Sequence, residues 1–195
     1  MEALEAIYTR RSTRRFKDAV PPRTLVEQVI EAGRMAPSGP NSQATHLIAI
    51  TSPTVLDELT HLVESEFKEM EEGPDTYVSL RNSIRASKRG GYVFHYAAPV
   101  LIVCCNKASS GNALPDSACV LENMMIAACA LGLGSCWINQ LRWLQDRPAI
   151  RSALESIGLG TDEMVTGGLA LGYAEKDDAT RTPPERHGNP VTWVE

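Results

Sequence analysis

The 195-residue sequence predicts an α+β fold, and three observations carry that expectation. Helical patterns dominate and strand patterns are few. Their order along the chain is helix, helix, strand, helix, helix, strand, helix, strand, helix, strand. One strand candidate, Pro99 to Cys105 (PVLIVCC), is apolar without alternation, the pattern of a strand covered on both faces. At 43% hydrophobic residues the chain has enough apolar mass for one substantial core, so residues 1–195 are expected to form a single domain.

Residues 2–9 read as a short helix, with Leu4, Ile7 and Tyr8 near helical spacing. Residues 22–35 read as a second, with Pro22 in its first turn and Leu25, Val26, Val29 and Ile30 on one face. Ala36 to Gln43 is a loop by composition, and Leu47 to Thr51 a short strand. Ser52 caps a third helix opened by Pro53, whose stripe is Val55, Leu56, Leu59, Leu62, Val63, Phe67 and Met70. Residues 71–75 stop it. Residues 76–96 predict one helix leading to a turn at Gly90–Gly91. After the PVLIVCC strand, Asp116 or Ser117 is expected to cap a helix that runs to about Leu131 and is apolar almost all round. Such a helix must be covered on most sides, which makes a subunit interface plausible. Gly132 and Gly134 lead into a strand at SCWI, Arg147 to Ile157 is another helix, and Met164 to Tyr173 a last strand. The tail from Ala174 is polar but ends in Val191, Trp193 and Val194, which need something to dock on.

The net charge of −5 gives no general attraction to nucleic acid or to an anionic membrane. The start, MEALEAIYTRR, lacks the apolar core of a secretory leader, so a cytoplasmic location is expected. The longest apolar stretch, Ala118 to Trp137, is broken by Glu122, Asn123 and glycines and reads as buried helix and strand. The five cysteines (Cys104, Cys105, Cys119, Cys129, Cys136) lie in apolar runs without CxxC or zinc spacing, which suits reduced, buried core residues. Cys104 and Cys105 should face opposite sides of their strand.

Three segments carry candidate chemistry. From Thr9 to Lys17, five cations fall within eight positions of an acidic chain, and guanidinium forks with a serine hydroxyl suit a phosphate. On composition alone the more common reading is a solvated basic face. The loop Pro37–Ser38–Gly39–Pro40–Asn41–Ser42–Gln43 offers close backbone approach and amide donors and acceptors, or is an ordinary turn. Gly132 to Asn139 leaves room for a ligand at a sheet edge, or merely packs helix on strand. No Rossmann or Walker pattern is present.

Together these segments resemble the nitroreductase family of FMN-dependent oxidoreductases. Arg10–Arg11–Ser12–Thr13–Arg14–Arg15–Phe16 is similar to its RRSxRxF motif, and Ala36 to Gln43 to its APSxxNxQ loop. Ala98 to Val103, Asp116 to Ile138 and Gly168 to Tyr173 follow the family's later blocks in order, so the resemblance covers nearly the whole chain. It implies a central mixed or antiparallel sheet surrounded by helices, in an intertwined homodimer with two shared FMN sites and a tail, about 174–195, reaching over the partner. Arg10, Ser12 and Arg14, with Arg11 beside them, would hold the phosphate, and Arg186 stands where the family often supplies a further ligand. Pro37, Ser38, Gly39, Asn41 and Gln43 would line the flavin from the partner subunit. Ile138, Asn139 and Gln140 would run beside the ring, a backbone amide near Asn139–Gln140 donating to flavin N5. The implied activity is ping-pong hydride transfer from NADH or NADPH to a small organic acceptor such as a nitroaromatic or quinone. Flavin fragmentation, reductive dehalogenation, ring dehydrogenation and flavin binding without turnover are the alternatives, as is a structural dimer that merely retains the fold. No metal is implied. The chain departs from the family at Ala44–Thr45–His46–Leu47, where Pro–Trp–x–Phe is frequent, and matches loosely over residues 71–97. His46, His61, His95 and His187 are scattered; His95, between Tyr92 and Tyr96, is the one nearest candidate chemistry.

Overall fold

The computed structural model describes residues 1–176, 185 and 187–195. Strand β2 (Val100–Lys107) runs through the middle of the molecule. Its side chains alternate as strand geometry requires. Val100, Ile102 and Cys104 enter one apolar cluster, Leu101, Val103 and Cys105 the other. That is why the run is apolar at every position, and why the two adjacent cysteines face opposite ways.

The other strands are β1 (His46–Ile50), β3 (Gly134–Ile138) and β4 (Glu163–Gly172). They pair in the order β1-β2-β4-β3, and every neighbouring pair is antiparallel. Leu47 faces Cys104, Val103 faces Gly168, and Cys136 faces Ala170. Among the described residues the one parallel pairing is an isolated bridge between Ser12 and Ser135.

One face of the sheet is covered by α3 (Pro53–Lys68), which buries Leu56, Leu59, Val63 and Phe67. Ser52 caps it as expected, its hydroxyl accepting from the Val55 amide at 3.5 Å. The other face receives α5 (Ala113–Ala130), with α2 (Arg23–Arg34) and α1 (Ala3–Thr9) packed against it. The expected start of α5 needs correction. It begins one turn before Asp116, behind Asn112, and neither Asp116 nor Ser117 caps it. Pro115 fits because first-turn amides lack intrahelical acceptors anyway. Asp116 is instead buried and accepts the Gly39 amide at 3.2 Å, fastening the 36–43 loop to the helix.

Residues 76–96 form one helix leading to a turn, as expected. Helix α4 (Val78–Arg89) stops at Gly90 and Gly91, whose φ values of 86° and 74° suit glycine. A five-residue helix that the periodicity missed, α6 (Gln140–Leu144), follows β3, and α7 (Pro148–Ser156) starts behind Arg147. The cysteine expectation holds for Cys104, Cys105 and Cys136; Cys119 is exposed and Cys129 half-buried on α5. Apolar side chains remain on the surface along α1 (Leu4, Ile7, Tyr8), at Leu114 of α5 and at the chain end, where Trp193 is 85% exposed. Among the described residues no helix is long and apolar enough to cross a membrane.

Candidate functional site

The basic segment does not float on the surface. It runs extended along the outer edge of β3. The Thr13 amide donates to Ser135 O at 2.9 Å, the Lys17 amide to Tyr173 O at 2.9 Å, and the Glu175 amide to Arg15 O at 3.0 Å. Close approach is possible because position 134 is glycine: a Cβ there would sit 2.6 Å from Thr13 Oγ1. An extended chain sends alternate side chains to opposite sides. A cavity of about 480 Å³ between α1, the end of α5 and this edge is lined by Arg10, Arg11, Thr13 and Lys17. A second, of about 220 Å³, is lined by Ser12, Arg14 and Arg15 with residues 174–176. The cluster that was contiguous in sequence is therefore divided between two concavities.

Charge in this region is poorly neutralised. Arg10 meets one carboxylate, Glu122, at 3.6 Å. Among the described residues Arg11, Arg14, Arg15 and Lys17 make no ion pair. Arg11 spends Nη1 on Tyr8 O (2.9 Å) and Arg10 O (2.6 Å), leaving Nε and Nη2 buried without an acceptor. A buried guanidinium edge in that state is costly unless an anion supplies the acceptors. Burial opposes the charge on Arg14, but the hydroxyl of Tyr96 and the nearby thiol of Cys136 raise its pKa above the ordinary arginine value. Burial pushes the thiol pKa of Cys136 up, and its Sγ donates to Trp137 O at 3.5 Å, so it stays protonated and non-nucleophilic.

Ile138 ends β3, and Asn139 and Gln140 turn into α6. The Asn139 amide donates to Gln140 Oε1 at 3.0 Å, and Asn139 Oδ1 accepts from Trp137 Nε1 at 3.0 Å. Gln140 is buried, and its Nε2 donates to the Tyr92 hydroxyl at 2.9 Å, which lies 2.8 Å from Ser83 Oγ. Gln140 thus ties the turn to α4, and Trp137 is half-buried against the α5-side cluster. Sequence reasoning missed this support from Tyr92 and Ser83, since hydroxyls on a loosely patterned segment carry no periodic signal.

The 36–43 loop lies elsewhere. Ser38 and Gln43 border a third cavity with Glu31, Arg34 and Leu47, beside β1. Asn41 and Gln43 hold positive φ (61° and 50°), and Gln43 Nε2 donates to Asn41 Oδ1 at 3.2 Å. Pro37 is exposed, and Gly39 is held by Asp116. Since β1 and β3 are opposite edges of the sheet, about 14 Å of strand spacing separates this loop from the basic segment of the same chain. The structure brings Ser12, Arg14 and Cys136 together, and it does not bring Asn41 or Gln43 to them. Arg186 lies outside the described residues.

His95 is buried, with Nδ1 3.1 Å from Ala98 O, and burial lowers its pKa. Its imidazole is neutral in the fold and gains a proton more readily when unfolded. Stability is therefore present above the unfolded value of 6.5 and is lost as pH falls from there through the lower native value. His95→Gln is expected to flatten that decline, which melting temperatures between about pH 5 and 7 will show.

A sheet flanked by helices defines an α+β protein, and the edge of β3 carries a run of cations with few carboxylate partners among the described residues. The nitroreductase family model matches residues 7–173. A crystal structure of a Bacteroides fragilis nitroreductase with bound FMN is 33% identical, covers 100% of both chains and superposes with a TM-score of 0.85. A Desulfitobacterium hafniense nitroreductase, also with bound FMN, is 25% identical over 100% of both chains, at a TM-score of 0.83. An Archaeoglobus fulgidus relative whose name gives NADH dehydrogenase/NAD(P)H nitroreductase as its expected activity is 28% identical, over 90% of this chain and 88% of its own. The chain belongs to the nitroreductase family.

Proposed function

We propose that the protein is an FMN-dependent oxidoreductase that transfers hydride from NADH or NADPH to a small organic acceptor, a nitroaromatic or quinone, in ping-pong order. The observation that carries this reading is the basic edge of β3. Arg11 keeps a buried guanidinium edge without an acceptor beside Arg10, Ser12 and Arg14. A phosphate monoester matches that donor set in charge and in its need for hydrogen-bond donors, which are spread along one strand edge over two concavities that share Thr13. The same residue order stands in a family whose 33%-identical member carries FMN.

When bound, FMN supplies the two-electron carrier that none of the described side chains can replace. The chain's part is to bind and orient. Arg10, Arg11, Ser12 and Arg14 hold the phosphate end, with Arg186 of the tail as a further cation. With the Asn139 amide committed to Gln140 Oε1, the donor left at this turn is the Gln140 amide, at the first position of α6. Ile138 and the Trp137–Asn139 bond fix the direction of that turn. Neutral His95 and the protonated thiol of Cys136 are poor candidates for a dedicated acid or base, consistent with chemistry resident in a cofactor.

The site is completed by a second copy of the chain. Pro37, Ser38, Gly39, Asn41 and Gln43 reach the flavin from the partner, since within one chain they stand at the far edge of the sheet. The exposed apolar residues of α1, Leu114 and Trp193 are the surface such a homodimer would cover. The whole chain then acts as one FMN-binding domain, its tail over the partner, in the cytoplasm, with no nucleic acid or membrane partner.

Anaerobic stopped-flow mixing of the FMN-loaded protein with NADH or NADPH is the test. Bleaching of the flavin band, followed by its return on adding a nitroaromatic or quinone, is the expected result. A yellow protein that neither nicotinamide bleaches would be a flavin binder without turnover, and the reductase reading would fall.

A further inference from the structure

The carboxamide of Gln140 is buried and spent at both ends. Its Oε1 accepts the Asn139 amide at 3.0 Å. Its Nε2 donates to the Tyr92 hydroxyl at 2.9 Å and to Ser83 Oγ at 3.4 Å. The Tyr92 and Ser83 oxygens are 2.8 Å apart, and Ser83 Oγ donates to Ser79 O at 3.2 Å. A carbonyl only accepts, so this hydrogen-bond chain has one polarity. Ser83 gives its proton to Ser79, Tyr92 gives its proton to Ser83, and Gln140 donates to both. Burial raises the Tyr92 pKa, so the phenol keeps the proton that this order needs. The reverse setting of the carboxamide would put its NH2 against the Asn139 N–H, donor on donor. Oε1 is therefore committed to Asn139.

Tyr92 is itself pinned from a further side. Its amide donates to Glu64 Oε1 of α3 at 3.2 Å, and its ring meets that of the fully buried Phe67 edge-on at 6.3 Å. The phenol thus joins α3 and α4 to the turn at the end of β3. We propose that Tyr92 is a positioning residue: through the Gln140 carboxamide it keeps the Asn139 amide occupied and leaves the Gln140 amide as the donor that meets flavin N5. This rests on the placement of that turn beside the flavin ring. Without the phenol the carboxamide has Ser83 alone, at 3.4 Å, and the Asn139 amide is released to compete. A fixed N–H favours the oxidised ring, whose N5 offers a lone pair. The reduced ring carries a proton there and meets the same N–H donor against donor. Loosening the turn therefore shifts the balance towards reduced flavin.

The test is a dye-coupled redox titration of the FMN-loaded protein, which needs no nicotinamide, with the apoprotein melting temperature read beside it. Tyr92→Phe is expected to move the two-electron equilibrium about three- to tenfold towards reduced flavin, roughly 15–30 mV upward in midpoint potential. A merely structural role would lower the melting temperature and leave that equilibrium where it was. In a Gln140→Ala background the same change should move it less than about twofold, because the linking carboxamide is gone. An unmoved equilibrium in Tyr92→Phe, or equal shifts in both backgrounds, overturns the positioning role while FMN binding stands. If the native apoprotein takes up no FMN, the cofactor reading fails first and the positioning role falls with it. If the shift occurs as expected but neither nicotinamide bleaches the flavin, the positioning role holds and the reductase reading alone falls.

Discussion

Replacing Arg10 and Arg14 together by alanine is expected to weaken FMN binding by about 3–6 kcal/mol, roughly two to four powers of ten in the dissociation constant. Each guanidinium contributes a charge-assisted hydrogen bond to a dianionic phosphate, worth about 1.5–3 kcal/mol. The pair Arg10–Glu122 does not cancel this. At 3.6 Å, with the glutamate side chain 46% exposed, it is a surface ion pair of small net value. Arg23→Ala is the matched control, since that guanidinium is spent on Glu27 at 2.8 Å on the far side of α2's first turn. Titration of apoprotein with FMN at constant ionic strength checks both. An unchanged affinity in the double mutant would remove the phosphate assignment, whatever activity the protein retains.

Much of the fold was legible because its strongest signals are periodic. The β2 run announced burial on both faces, and the split of Cys104 from Cys105 followed from strand alternation alone. The stripe of α3 and its Ser52 cap held for the same reason. What failed was short or aperiodic. The five residues of α6 span little more than one turn, too few for a period. The start of α5 was misplaced because Asp116 looks like a cap, while its carboxylate is in fact spent on Gly39 across the sequence. The left-handed pair at Tyr96–Ala97 carries no glycine, so nothing in the sequence marked the turn.

The site was legible as a set of residues and not as an arrangement. Arg10 to Lys17 stood out by charge against the trend of the chain, a pattern that composition alone reads more often as a solvated face. That Arg11 and Arg14 serve different concavities depends on the pairing of this segment with Ser135 and Tyr173, which lie more than a hundred residues away. Likewise Gln140 looked like a ring-side residue. Its side chain proves to be a buried strut to Tyr92, which leaves only its backbone for the ligand. Long-range pairing decides both outcomes, and a single sequence does not display it.

Two crippled variants are expected to restore one another. If each site takes its phosphate end from one chain and Asn41 and Gln43 from the other, then Arg10→Ala/Arg14→Ala protein and Asn41→Ala/Gln43→Ala protein are each defective at both sites of their own homodimers. Unfolded together and refolded at equal concentration, half the dimers should be mixed. In each mixed dimer one site receives both defects and the other receives none. About a quarter of all sites should then be intact, by the symmetry of a two-fold dimer. Nicotinamide oxidation should accordingly rise from near zero to about 25% of the native rate per chain, a value set by counting rather than by contact energies. Should FMN instead be bound wholly within one chain, each defect would stay with its own subunit and mixing would recover nothing. The separation of loop and basic segment across the β1-β2-β4-β3 sheet is what favours recovery. The exposed side chains of Leu4, Ile7 and Tyr8 supply a face on which such dimers can form. Ile7→Glu with Tyr8→Glu in both partners should abolish the recovery, and sedimentation would then show monomers.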